Sequence, residues 1–272
     1  MSKSDLIVSR WSRYVRVAAK GLTYFFLLTI TTAFQPKITV YHPPDSEDGK
    51  RLVSLFSDEF SNYTNRIHRQ LTYPLGCDTL NGQVLAHALR GYIYLKQTQQ
   101  LTNPQYLSVI DFSQDCNDKR MWVIDLDTKH VVFNEWVAHG ARTGDRYAKY
   151  FSNRHSSKQS SLGFYTTGGL YQGRNKLSLK LNGLEKNFNH NAFARGIVIH
   201  GANYISEAIV NRNERIGRSF GCPAVRQEIN EILVNTIQGG TCLFIWHPTP
   251  SYLEKSQLLN ANIYVTVDDL SS

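Results

Sequence analysis

A cysteine and a histidine set on either side of one polar loop offer a nucleophile and its base. In this chain of 272 residues they are Cys222, within Gly217-Arg218-Ser219-Phe220-Gly221-Cys222-Pro223-Ala224-Val225, and His200, within Arg195-Gly196-Ile197-Val198-Ile199-His200-Gly201. A thiolate can attack a carbonyl carbon, and an imidazole within hydrogen-bond reach can manage the proton, so the pair suits acyl transfer. The same two residues would also serve as a histidine closing a strand and a small buried thiol, because free Cys is among the most buried residue types. The neighbours favour chemistry. Pro223 fits the first position of a helix whose apolar residues are Val225, Ile229, Ile232, Leu233 and Ile237 and which Gly239-Gly240 ends. Cys222 would then sit at or beside the N-cap, where free amides and the positive helix end favour a thiolate. Gly221 permits a tight turn that would aim its own amide and that of Cys222 at the space beside the sulfur, as an oxyanion hole requires. Gly201 has no side chain, so a main-chain carbonyl, such as its own, is expected to accept the proton of the other ring nitrogen of His200.

Two kinds of periodicity surround this pair. Leu52, Leu55, Phe56, Phe60, Tyr63, Ile67 and Leu71 recur at three- and four-residue steps and predict a helix ended by Pro74 and Gly76. A second helix is expected from about Thr79, with Val84, Leu85, Ala88, Leu89, Tyr92 and Ile93 on one stripe. From residue 107 the pattern becomes strand-like: 107–112, 121–126 and 131–139, then 163–167, 177–181, 197–200 and 241–246. Asn182-Gly183 reads as a turn closing the fifth of these. A mostly antiparallel sheet of six or seven strands follows. Residues 140–162 form a polar stretch too long for a hairpin, and loops of that length in a folded domain are usually functional or disordered.

The chain carries a formal charge of +8, which favours anionic surroundings such as nucleic acid, anionic lipid or an acidic wall polymer. Its Lys and Arg are scattered and do not interleave with aromatics as in a nucleic-acid groove, so no nucleic-acid partner is expected. Arg10, Arg13, Arg16 and Lys20 precede the uncharged run 21–34, which matches the apolar part of an export signal and is short for a membrane span. Export to the periplasm or cell envelope is expected, with the membrane touched only if this segment stays uncleaved. Four cysteines, Cys77, Cys116, Cys222 and Cys242, show no metal-binding spacing. No metal or cofactor is called for. A bridge between Cys77 and Cys116 is conceivable in an exported protein, whereas Cys222 must stay free to react.

His200-Gly201 followed by Ser219-Phe220-Gly221-Cys222 resembles the His-Gly and Ser-x-Gly-Cys signature of the L,D-transpeptidase catalytic domain, the YkuD-like fold. Asp111-Phe112-Ser113, Val137-Ala138-His139-Gly140, Phe151-Ser152-Asn153, Ser161-Leu162-Gly163 and Gly217-Arg218-Ser219 extend the similarity toward the murein L,D-transpeptidase branch, over roughly residues 80 to 246. The resemblance implies an α+β fold, a mostly antiparallel sheet or sandwich with an N-terminal helical pair and a helix after the cysteine. The expected division is 1–35 as leader or anchor, 36–106 as linker and helical region, 107–247 as catalytic domain and 248–272 as tail. It also implies acyl transfer on peptidoglycan stem peptides. Cys222, His200 and Gly201 would be catalytic, and Gly221 and Ser219 would shape the oxyanion pocket. Other branches often hold an Arg or His directly after the cysteine, where this chain has Pro223-Ala224. Arg218, Arg226, His139 and Asn153 are the candidate substrate contacts, and His139 is a second candidate base because it too ends a strand. A sortase-like cysteine acyltransferase and a non-catalytic wall-binding module are the alternatives.

Overall fold

The computed structural model describes residues 52–266 and 270; the basic leader and its apolar run lie outside these residues. The chain runs β1 (Leu52–Ser54), α1 (Asp58–Gln70), α2 (Gly82–Gln97), β2 (Tyr106–Asp111), β3 (Met121–Asp125), β4 (His130–Glu135), β5 (Gly163–Gly173) and β6 (Lys176–Gly183). There follow β7 (Val198–Ala202), α3 (Glu207–Asn211), β8 (Ala224–Arg226), α4 (Gln227–Ile237), β9 (Cys242–Trp246), α5 (Pro250–Lys255) and β10 (Tyr264–Thr266). Eight strands make one sheet in the order β4-β3-β2-β9-β5-β6-β7-β8, while β1 and β10 form a separate antiparallel ribbon. Within the large sheet β2–β9 and β7–β8 are parallel and the other pairs antiparallel. The fold is thus α+β, with the helical pair ahead of a mostly antiparallel sheet and α4 after Cys222.

The two outer strands of that sheet do not end in free edges. Past β4, Ala138 and Ala224 exchange main-chain hydrogen bonds of 2.8 and 3.4 Å, and Gly140 bridges Ser219. The segment that follows β4 thus closes the sheet onto β8 and the residues before it through these bridges. That closure is one way of removing exposed strand edges. It also places the seam immediately beside the cysteine turn.

Local chemistry sets the helix boundaries. The helical spacing expected from Leu52 is interrupted because Leu52–Ser54 pairs with the tail strand β10, and α1 begins only at Asp58. Ser57 caps it, accepting a hydrogen bond from the Phe60 amide at 3.2 Å, with Asp58 and Glu59 in the first turn. Asn81 caps α2 through the amides of Gln83 and Val84. Leu85 and Leu89 of α2 join Val109, Phe164 and Phe244 of the sheet in one continuous apolar core. Gly91 permits this approach, since a Cβ there would lie 2.1 Å from the Phe164 ring.

Asn182-Gly183 is not a turn. Both residues remain in β6, opposite Thr166 and Tyr165, and the β5–β6 connection lies at Arg174-Asn175. Gly183 instead admits the Asn189 carbonyl, which would sit 2.0 Å from a Cβ. The glycine marks a close backbone approach, a reading as consistent with a strand glycine as a turn is. The four cysteines are all unpaired, Cys77 and Cys116 included.

His87 of α2 stacks on Trp246, with ring centroids 4.6 Å apart and an interplanar angle of 21°, and its Nδ1 is buried without a hydrogen-bond partner. Burial, aided by the Arg90 charge, pushes its pKa down to about 4. The unfolded chain therefore binds this proton more tightly than the native one, and stability falls as pH drops through the window between the ordinary value of 6.5 and about 4. In His87→Phe the stack is kept and the proton site removed. Urea midpoints measured across that window should decline less steeply in the variant, and an unchanged slope would contradict the assignment.

Candidate active site

The segment carrying Cys222 is organised by short polar contacts. The Ser219 hydroxyl accepts the Gly221 N–H at 3.0 Å and donates to the Cys222 carbonyl at 2.6 Å, which closes the turn on itself. Ser219 in turn is fixed to the seam, its N–H donating to the His139 carbonyl at 3.1 Å and its carbonyl accepting from Ala141 at 2.8 Å. Gly221 has φ +125°, and a Cβ there would meet the Gln159 carbonyl at 2.8 Å. Only glycine adopts this backbone without strain. Gly221→Ala should cost about 1–3 kcal/mol in backbone strain, with added displacement of the 159 peptide. Urea unfolding together with Cys222 alkylation rates checks this, and wild-type values in both would refute it.

The helix expected at Pro223 begins later. Ala224–Arg226 is strand β8, and α4 starts at Gln227 with Arg226 in the cap position. Strand pairing prevails over the proline signal here: Ala224 bonds to Ala138 on one side and lies in register with His200 on the other. A proline just ahead of a short strand is equally well placed, having no N–H to offer the ladder. Because the helix-end field fades within the first turn, it does not activate this thiol. Cys222 is half-buried, and its Sγ donates to the Gly196 carbonyl at 3.7 Å. Burial pushes the thiol pKa up, while a main-chain hydrogen bond at Val198 and the Arg195 charge act against that.

His200 is brought to this turn by the parallel β7–β8 pairing. Its N–H donates to the Pro223 carbonyl at 3.4 Å, one residue beyond Cys222. Its Nδ1 lies 2.9 Å from the Gly201 carbonyl. A carbonyl only accepts, so Nδ1 carries the proton and Nε2 is the basic nitrogen. The ring is 4 % exposed, and burial pushes its pKa down, opposed by the Gly201 hydrogen bond. Burial thus works against the charged form of each of the two groups. Gly201 has a second use, since a Cβ would lie 2.9 Å from the Gln227 side chain.

Of the two amides expected to face an oxyanion, that of Gly221 is already held by Ser219, which leaves the amide of Cys222. The other sequence candidates are occupied elsewhere. Arg226 makes a two-point pair with Glu135, at 2.8 and 2.6 Å, with its guanidinium over the Trp136 ring. Arg218 donates to the Gly144 carbonyl at 2.8 Å and lies 3.6 Å from Asp145. Asn153 bridges His190 Nδ1, at 2.8 Å, and the Asn191 amide, at 3.0 Å. His139 is 1 % exposed, and its Nδ1 lies 2.9 Å from an Arg120 guanidinium nitrogen. Burial and that charge push it down to about 4, so it supports the cysteine turn through its carbonyl as a neutral ring.

Two residues without a role in the sequence analysis lie against the segment that carries the thiol, Tyr204 at Gly217 and Arg195 at Gly221. Tyr204 lies against Gly217, where a Cβ would fall 2.2 Å from its ring, and burial followed by the neighbouring Cys222 pushes its hydroxyl up to about 12. Arg195 ties together four oxygens of the polar stretch 152–161. It stands three residues before β7, yet an arginine in a loop is ordinarily read as exposed.

No curated protein matches the chain. Among solved structures it is similar to an L,D-transpeptidase from Mycobacterium smegmatis, at 10 % identity and a TM-score of 0.34, covering 53 % of this chain and 59 % of that one. It is similar also to the L,D-transpeptidase of Xylanimonas cellulosilytica, at 15 % identity and 0.31, over 71 % of this chain and 95 % of that one. A third is the helical cell shape determining protein of Campylobacter jejuni, at 13 % and 0.35, over 58 % and 55 %. The chain thus spans little more than half the length of the first and third. The family model for the L,D-transpeptidase catalytic domain matches residues 77–246, a stretch that holds every strand of the large sheet together with Cys222 and His200, and the chain belongs to that family.

Proposed function

We propose that this protein is a cysteine acyltransferase of the cell envelope that acts on peptidoglycan stem peptides. The observation that carries the reading is the placement of Cys222 in a turn joined through β8 to His200, whose Nδ1 proton is fixed on Gly201. That arrangement leaves Nε2 free to accept a proton from the thiol.

In the reaction so read, Cys222 Sγ attacks the amide carbonyl between diaminopimelate and the terminal D-alanine while His200 Nε2 takes the thiol proton. The Cys222 amide is available to the oxyanion that forms. Collapse breaks the carbon–nitrogen bond, His200 returns its proton to the leaving amine, and D-alanine departs, leaving a thioester on Cys222. An amine of a second stem then resolves the thioester into a crosslink, or water resolves it into a trimmed peptide. Because burial disfavours the charged form of both groups, proton transfer accompanies attack in this reading.

The test is mass spectrometry of muropeptides incubated with the protein and with Cys222→Ala. Loss of D-alanine with a crosslinked or trimmed product is expected from the wild-type chain alone. No product and no covalent adduct, or equal products from both, would overturn the reading. Products joined through a sorting-type peptide would assign the chain to sortase-like chemistry.

A further inference from the structure

We propose that Arg195 is a positioning residue that pins the 152–161 segment against the Cys222 turn and supplies the positive charge beside the thiol. The inference rests on Cys222 being the nucleophile of the proposed reaction and deepens that site.

The half-buried guanidinium makes four hydrogen bonds to one stretch of chain. Nη1 donates to the Ser152 carbonyl at 2.7 Å and the Ser161 hydroxyl at 2.6 Å, and Nη2 to the Ser157 hydroxyl at 3.2 Å and the Gln159 carbonyl at 2.6 Å. The Gln159 carbonyl is the same atom that a Cβ on Gly221 would strike, and Arg195 Nη2 would lie 3.3 Å from that Cβ. The guanidinium thus reaches the residue preceding Cys222 from the side chain. It reaches the thiol along the backbone as well, because Gly196, the next residue, provides the carbonyl to which Sγ donates. Ser160 completes the junction, accepting from the Gly140 amide at 3.0 Å and donating to the Gly221 carbonyl at 3.3 Å.

Every acceptor of Arg195 is neutral. Among the described residues no carboxylate pairs with it, unlike Arg226 on Glu135 or Arg146 on Asp115. A half-buried cation lacking a counter-ion favours negative charge on the ionisable groups around it; here these are the Tyr165 hydroxyl, which donates to the Ser161 carbonyl and whose pKa burial pushes up, and the thiol of Cys222. The charge role expected of a helix end thus falls to a side chain. Electrostatic coupling between Arg195 and Cys222 agrees with the geometry.

The full chain, Arg195→Gln and Arg195→Lys are compared by two measurements that need no substrate. One is the pH profile of Cys222 alkylation by iodoacetamide, read by peptide mass spectrometry; the other is native-state tryptic cleavage after Arg154 and Lys158. In Arg195→Gln, alkylation near pH 7.5 should fall about tenfold, the change that loss of one adjacent charge produces, with the profile displaced to higher pH and cleavage accelerated. Arg195→Lys should keep the profile and still accelerate cleavage, because one ammonium cannot span four acceptors. A folded Gln variant with wild-type alkylation and cleavage overturns the proposal. So does a Lys variant displaced as far as the Gln variant. If the Gln variant does not fold, the Lys variant decides: faster cleavage with an unmoved profile supports the proposal, and unchanged cleavage overturns it. Failure of the muropeptide reaction would leave both measurements readable, so the two failures are distinguishable.

Discussion

Acylation of Cys222 by a carbapenem-type electrophile is expected to slow at least about a hundredfold in His200→Ala, the loss typical of removing a general base, and to vanish in Cys222→Ala. The tautomer of His200 sets this expectation. With the Nδ1 proton engaged by the Gly201 carbonyl, Nε2 has a lone pair for the thiol proton, and burial holds the ring pKa below its ordinary value. The imidazole therefore stays basic at pH values where an exposed histidine would be protonated, and the acid limb of the acylation profile should lie below the usual histidine range. His139→Ala should lose much less, because that ring is buried against Arg120 and meets the cysteine turn only through its carbonyl. Time-resolved mass spectrometry of the adduct reports all three variants. Loss confined to His139→Ala would move the role of base to that residue.

A second large effect belongs to stability. Glu185 is 1 % exposed and accepts from the Phe164 N–H at 2.8 Å, the Tyr252 hydroxyl at 2.9 Å and the Ser256 hydroxyl. It thereby fastens α5 and the residue after it onto the start of β5. Glu185→Ala would strand three buried donors, and the expected loss is about 3–5 kcal/mol, large for a single substitution. Urea unfolding at neutral pH measures it, and a change below about 1 kcal/mol would show the contacts to be dispensable. The pH dependence has a definite sign. Burial raises the carboxyl pKa against the hydrogen bonds that lower it, so the native state holds the proton more tightly than the unfolded one. The associated stability is full below the ordinary value of 4.5 and is lost as pH rises through the native value. Glu185→Gln, which has no proton to lose, should remove that slope, opposite in sign to the one assigned to His87.

The sequence disclosed the strands more faithfully than the boundaries between elements. Runs such as Met121–Asp125 and Cys242–Trp246 are buried throughout, and the apolar continuity of 121–124 and 242–246 is visible without coordinates. What stayed hidden depended on partners distant in sequence. Leu52–Ser54 has a helical spacing but becomes a strand because residues 264–266 lie beside it. Ala224–Arg226 follows a proline that suits a helix start, yet two partners already wait for it, strand β7 carrying His200 and the segment after β4 carrying Ala138. At the site, Cys222 and His200 could be singled out by residue type and by their place on either side of one loop. The occupation of Arg226 by Glu135 and of the Gly221 amide by Ser219 could not, because hydrogen-bond competition is settled only when the chain is folded. The length and polarity of residues 140–162 are visible in the sequence; the four hydrogen bonds that Arg195 makes to residues 152–161 are a matter of three-dimensional reach.

The meeting of Ala138 with Ala224 has a consequence for the order of assembly. Contacts between residues so far apart in sequence form against a loop-closure cost that local pairings escape. The junction is also where the cysteine turn acquires its alignment, since Ser219 and Ala224 both bond across it. A nascent chain still lacking this last pairing carries the thiol and the imidazole without their common frame. On the proposed reaction, acylation of Cys222 is therefore expected to recover during refolding only once this junction has closed.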